Sequence, residues 1–403
     1  MGDTATARAA SGGLTATEHR LANGLRVVLS EDHLTPVAAV CLWYDVGSRH
    51  EVKGRTGLAH LFEHLMFQGS AQVKGNGHFE LVQGAGGSLN GTTSFERTNY
   101  FETMPAHQLE LALWLEADRM GTLLTALDDE SMENQRDVVK NERRQRYDNV
   151  PYGTAFEKLT ALAYPEGHPY HHTPIGSMAD LDAATLEDAR EFFRTYYAPN
   201  NAVLSVVGDI DPGQTLAWIE KYFGSIPGHE GKRPPRDGSL PDTIGSELRE
   251  VVREEVPARA LMAAYRLPED GTRAADAADV ALTVLGGGES SRLRRTAHPA
   301  RGAVPGPGGE AVTTRGAARG DLPSGGVTLV TVRGRCGRTA HEARGRRVAR
   351  SFARRSARGA GNLRDVPDVE PGPGNGRRGY GTGRRSPWCP SVADVAGTIK
   401  VSA

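Results

Sequence analysis

Two histidines and a glutamate stand in the run His60-Leu61-Phe62-Glu63-His64. On a helix, residues i and i+4 lie on one face about one turn apart, so both imidazoles can address one metal ion. Glu63, on the same side, cannot comfortably bind that ion from the same turn, but it can hold a metal-bound water by hydrogen bond. That is the position of a general base. The chemistry implied is hydrolysis assisted by one Zn2+ ion, which takes imidazole and carboxylate ligands and leaves an open position for water. Two ligands do not complete such a site, so a third must come from elsewhere in the chain.

The elements that must position these groups are legible nearby. From Thr56 the spacing turns helical: Leu58, Leu61, Phe62, Leu65 and Met66 form an apolar stripe, and Gly69 closes the segment. Before it, Asn23-Gly24 suits a hairpin turn, Leu25, Val27 and Leu29 alternate as in a strand, and Pro36 to Val46 reads as a second strand. After it, Gly86-Gly87 opens a Thr/Ser-rich strand over Leu89 to Ser94 that is expected to pair with Asn99 to Thr103. Helices are expected over His107 to Leu124, Asp128 to Gln145, Asp188 to Tyr196 and Pro212 to Phe223, with a central-type strand at Ala202 to Val207. Strands and helices alternate without a strict βαβ repeat, which favours an α+β fold with a mixed or antiparallel sheet.

The inverted order of the motif is the signature of the inverted zincins. Together with Gly57 to Phe67, Tyr147-Asp148-Asn149-Val150-Pro151-Tyr152-Gly153 and Val206-Val207-Gly208-Asp209, it resembles the pitrilysin/insulinase (M16-type) metallopeptidase family, and in particular the small two-domain subunits such as the catalytic subunit of mitochondrial processing peptidase. The resemblance runs from about Glu18 to Leu293. It implies a third zinc ligand about 75 to 80 positions after the motif, where Glu142 stands in Arg136-Asp137-Val138-Val139-Lys140-Asn141-Glu142. Spacing alone leaves Asn141 or Glu142 open; a neutral amide is the poorer zinc ligand. The family often carries a second glutamate one to two turns earlier, acting from outside the ligand sphere. Gln135 occupies that place here and adds no negative charge.

The resemblance further implies that the Leu89 to Ser94 strand is an edge onto which an extended peptide substrate adds, with Gly87, Asn90 and Gly91 meeting it near the metal. Tyr147, Asn149 and Tyr152 are expected to shape the wall near the site. It also implies a partner: a homologous subunit lacking the zinc motif, or a second copy of the chain. The expected activity is that of a zinc endopeptidase acting on peptides or unfolded segments, and the alternative is a non-catalytic assembly subunit. His168, His171 and His172 form a second histidine cluster, read as surface or supporting groups rather than ligands.

Length and charge bound the rest. A chain of 403 residues suggests more than one domain. The expected division is a zinc-binding domain over 15–227, a Pro/Gly/charge-rich linker over 228–241, the start of a second domain of the same family over 242–293, and an Arg/Gly/Pro-rich tail over 294–403. That tail holds roughly twenty arginines, a single lysine and almost no periodic apolar pattern, so it is expected either to lack regular structure or to be translated out of frame. Formal net charge is -1, and the tail has few interleaved aromatics, which disfavours nucleic acid as a partner. Cys41, Cys336 and Cys389 are too few for a disulfide framework. No apolar run reaches the roughly 18 residues of a membrane helix, and Met1 to Gly13 carries no signal-peptide core, so a cytoplasmic location is expected.

Overall fold

In the computed structural model of the chain, residues 15–231 are described without interruption. Beyond them come residues 233–234, 240, 246–256, 259–266, 272–286, 290 and 292, and the backbone of strands at 6–9, 311–312, 327–334 and 396–402. The chain divides into two units, one built around a seven-stranded sheet and the other around a five-stranded sheet.

The first sheet comprises β1 (Thr6–Ala9), β2 (Thr15–Arg20), β3 (Arg26–Glu31), β4 (Val37–Tyr44), β5 (Ser88–Thr93), β6 (Thr98–Pro105) and β7 (Ala202–Gly208), in the order β1-β2-β3-β7-β4-β6-β5. Every neighbouring pair is antiparallel except β3 with β7, so the sheet is mixed, as expected. Side chains alternate between faces with a period of two. On β4 this buries Ala38, Val40, Leu42 and Tyr44 and leaves Val37 and Trp43 on the other face. The Asn23-Gly24 turn does join two antiparallel strands, with Gly24 at φ 92°.

The helices of this unit are α1 (Leu58–Leu65), α2 (Gly77–Gly84), α3 (Leu109–Ala126), α4 (Asp129–Arg143), α5 (Ala155–Ala163), α6 (Met178–Ala183), α7 (Leu186–Tyr196) and α8 (Pro212–Phe223). Residues from α1, α3, α4, α7 and α8 share one core with the buried face of the sheet. Leu61, Phe62 and Leu65 of α1 are fully buried, and burial of such side chains stabilises by about 1.5–3 kcal/mol each. That stripe pins the rotation of α1 and holds its other face toward β5 and α4. The short helices α2, α5 and α6 were not legible in the sequence. Helix α1 ends at Leu65 rather than near Gly69, and a wider turn over Arg144–Asp148 follows α4, replacing the last residues of the expected helix.

The second unit holds β8 (Leu248–Arg253), β9 (Arg259–Arg266), helix α9 (Arg273–Gly286), β10 (Ala311–Val312), β11 (Val327–Gly334) and β12 (Ala396–Ser402), with sheet order β10-β11-β9-β12-β8. The start of a second domain expected over 242–293 thus contains two strands and a helix among its described residues. Three of the strands lie within the stretch 294–403; the rest of that stretch falls outside the described residues, as do parts of the expected linker. No helix among the described residues is long and apolar enough to cross a membrane.

Candidate metal centre

Helix α1 is set in place at its N-terminus by Glu51, a residue that the sequence did not single out. Glu51 accepts hydrogen bonds from the backbone N–H of Ala59 at Oε1 (2.7 Å) and of Gly57 at Oε2 (2.9 Å), and Oε2 also meets His172 Nε2 at 2.8 Å. It thereby satisfies donors that a helix start leaves without partners. Burial pushes the Glu51 carboxyl up, against the opposing pull of His172 and the two N–H groups. On the other side of the contact, burial lowers His172, but Glu51 outweighs it and the net shift is upward. Because every partner of Glu51 is a donor, the geometry favours the carboxylate. Gly57 precedes the helix with φ 90°, and a side chain there would run into Ile175 O. The histidine cluster is therefore structural: His172 holds Glu51, His171 Nδ1 lies 2.8 Å from Tyr164 O, and His168 is buried and stacked on Tyr164.

On the face of α1 turned to α4 and β5, His60 and His64 place their rings edge to face with centroids 4.9 Å apart. Glu142, one residue before the end of α4, brings Oε2 to 3.6 Å from His60 Nε2 and 3.4 Å from His64 Nε2. A tetrahedral ion with bonds of about 2.0–2.1 Å separates its ligand atoms by about 3.3 Å, close to both distances from Glu142, and all three ligand atoms lie within 4.8 Å of one another. The donor chemistry fits as well. Burial, followed by the charge of His64, pulls His60 down to about 4, which keeps it a neutral imidazole. A hydrogen bond from His64 holds Glu142 below the usual carboxylate range, with the charge of Arg146 acting the same way against burial.

Glu142 owes its place to its neighbours. Arg146, in the turn after α4, donates to Oε1 at 2.7 Å. Arg143 grips Glu157 with two contacts (2.6 and 3.0 Å) and donates to Gly176 O at 2.6 Å, which anchors the end of α4. Tyr147 is partly buried close by; burial and the charges of Glu157 and Glu142 raise its phenol. Gln135 is buried two turns earlier on α4, while the polar contacts of Glu142 are with His60, His64 and Arg146.

Glu63 stands beside the trio and under the edge strand. Its Oε2 accepts from Thr93 Oγ1 at 2.5 Å, and burial pushes its carboxyl up against that hydrogen bond. Strand β5 ends the sheet at this side, as expected of an edge. Gly91 lies over Glu63: a Cβ there would sit 3.1 Å from Glu63 Cγ, 3.3 Å from Oε1 and 3.3 Å from Phe67. Asn90 is exposed on the opposite face, its Oδ1 accepting from Gly91 N–H. Gly87 has a packing reason of its own, since a Cβ there would collide with Met104 Sδ at 2.2 Å. Arg97 braces this end of the hairpin from the outer face, donating to Thr92 O at 3.2 Å with its guanidinium 4.9 Å from the Trp43 ring.

A second trio, His78, Glu102 and Glu116, is enclosed in the core. Its cation position is already filled by Arg119, which pairs with Glu116 and stacks on Phe67 (5.0 Å) and Tyr100 (4.3 Å). Burial pushes Glu102 up to about 7 and pulls His78 down to about 3. Both shifts disfavour the charged forms, and His78 Nε2 lies 2.5 Å from Glu102 Oε1.

Comparison with known proteins bears on this centre. Residues 26–173 match the family Insulinase (Peptidase family M16), and residues 183–314 match the Peptidase M16 inactive domain. The crystal structure of a protease from Helicobacter pylori is 30% identical, covers 86% of this chain and 81% of its own, and superposes with a TM-score of 0.69. The chain belongs to peptidase family M16. Within the family it is 35% identical over 276 residues to the zinc protease PqqE of Helicobacter pylori, covering 68% of this chain and 62% of that protein. The probable mitochondrial-processing peptidase subunit beta of Schizosaccharomyces pombe is 31% identical over 234 residues, covering 57% of this chain and 50% of that protein. Pitrilysin shares the fold at 19% identity and a TM-score of 0.60, with 83% of this chain and 35% of that chain covered. The M16 chain spans about three-fifths of the length of the first curated relatives it matches.

Proposed function

We propose that this M16 chain is a zinc-dependent endopeptidase that hydrolyses peptides or unfolded segments, with His60, His64 and Glu142 holding the ion and Glu63 as general base. The observation that carries this reading is the convergence of two imidazoles from α1 and one carboxylate from α4 on a common point, with Glu63 beside them and an open sheet edge above. Bound zinc would supply a Lewis acid that lowers the pKa of water and polarises a carbonyl. Glu63 takes a proton from the attacking water and returns it to the leaving amine, which is the work of a general base turned acid. Strand β5 binds the substrate backbone by strand addition along Gly87 to Gly91, and the small residue at 91 lets that strand lie directly on the base. The name of the mitochondrial relative describes a subunit, and we extend that to this chain: it works with a homologous subunit lacking the zinc motif or with a second copy of itself.

The test is zinc content beside peptidase activity, for the wild type and Glu63→Gln. The expected result is about one zinc per chain in both, with turnover of an unfolded peptide reduced by at least about 100-fold in the variant. Zinc binding with no wild-type cleavage of any unfolded peptide, alone or with a partner subunit, would instead support a non-catalytic assembly role.

A further inference from the structure

We infer that Thr93 is a positioning residue that selects which oxygen of Glu63 acts as the base; the inference rests on the hydrolysis proposed above. Thr93 lies on β5, the strand at the sheet edge, and its Oγ1 is 2.5 Å from Glu63 Oε2 and 3.4 Å from Thr98 Oγ1. Thr98 is fully buried and donates its hydroxyl proton to Val46 O at 2.9 Å. Its lone pairs can accept, but its proton is committed. The single proton of Thr93 therefore has two acceptors, and the near, charged one is Glu63.

Proton accounting then fixes the direction of transfer. While Thr93 donates to Oε2, that oxygen is engaged and the lone pairs of Oε1 remain for the incoming proton. The proton leaves the attacking water, arrives on Oε1 and later departs from Oε1 to the leaving amine, while the Thr93 hydroxyl keeps its own proton throughout. The other boundary is set by Gly91, whose Cβ position lies 3.3 Å from Oε1 and 3.1 Å from Glu63 Cγ. Thr93 and Gly91 are separated by one residue on the same face of β5, so one strand holds both ends of the carboxylate. An extended substrate added to that edge would bear on the strand that orients the base.

The experiment compares Thr93→Val, which removes the hydroxyl at nearly constant shape, with Thr93→Ser, which keeps it. The full chain is assayed on a quenched fluorescent peptide that the wild type cleaves. In Thr93→Val, kcat is expected to fall about 10- to 100-fold with KM within about threefold, and Thr93→Ser to recover kcat to within about fivefold of wild type. Two readouts do not depend on turnover. Zinc affinity by chelator competition stays within about twofold in both variants, and a crystal structure of zinc-loaded Thr93→Val shows the Glu63 carboxylate turned from its wild-type plane. Should Thr93→Val not fold, Thr93→Ala carries the same comparison. The inference is overturned if the hydroxyl-free variant keeps its kcat, if Thr93→Ser is as slow as Thr93→Val, or if the carboxylate does not move. A wild type that cleaves no peptide would sink the proposed function instead, leaving the orientation of Glu63 in the variant structure to decide the role of Thr93.

Discussion

Removing the Glu51 carboxylate should loosen the helix that carries the motif without touching any metal ligand. The side chain is wholly shielded from solvent and accepts from Gly57 N–H, Ala59 N–H and His172. In Glu51→Ala the two backbone donors at the start of α1 lose their acceptor in a site that water reaches poorly. Each buried donor left unpaired costs about 1–3 kcal/mol, and loss of a helix N-terminal acceptor is worth about 0.5–2 kcal/mol by itself. Some relaxation will follow, so about 3 kcal/mol is the expected local loss. Because the chain has two units, a single unfolding midpoint would blur this effect. Amide hydrogen exchange of the peptide spanning α1, in metal-free protein, reads it directly. Exchange of the Leu61 to Leu65 amides should accelerate by about 100-fold. Zinc affinity should fall by about 10-fold, as expected when an outer partner of a ligand element is lost. Glu51→Gln, which keeps one acceptor oxygen, should fall between. Unchanged exchange of α1 in a folded Glu51→Ala protein would refute the reasoning, because it would mean that core packing alone fixes the helix.

Other perturbations separate the remaining parts. Gly91→Val places carbon where Glu63 Cγ and Oε1 leave 3.1 and 3.3 Å; turnover should drop by about 100-fold, as for a misplaced base, while zinc analysis stays at the wild-type level. Glu142→Gln should weaken zinc binding by more than the about 10- to 100-fold typical of an outer partner, measured by chelator competition. The carboxyl of Glu102 is raised from 4.5 to about 7, so its contribution to stability is full below pH 4.5 and is lost as pH rises through about 7. Protection of the β6 amides, corrected for the intrinsic pH dependence of exchange, should therefore fall less over that window in Glu102→Gln than in the wild type. Equal slopes would mean that Glu102 is ionised in the folded protein.

Sequence alone determined what depends on neighbours along the chain. The spacing of His60 and His64 puts two imidazoles on one face because a helix repeats every 3.6 residues, and the apolar stripe at Leu61, Phe62 and Leu65 fixes which face turns inward. Alternation at Val27 and Leu29 on β3 was legible for the same reason, since a strand repeats every two residues, and the pairing of β5 with β6 was expected from their nearness in the chain. Residues without a local period were not legible as parts of the site: nothing in the motif pointed to Glu51, and Thr93 was one hydroxyl among several in a Thr/Ser-rich strand. Only the tertiary structure decides that Glu142, 78 residues after His64, meets both imidazoles. Packing of α4 and the Arg143–Glu157 pair set that distance, and neither leaves a pattern in the linear chain. Sheet order was equally hidden. The sheet places β7 between β3 and β4, and β5, paired with β6, ends it at the rim over Glu63.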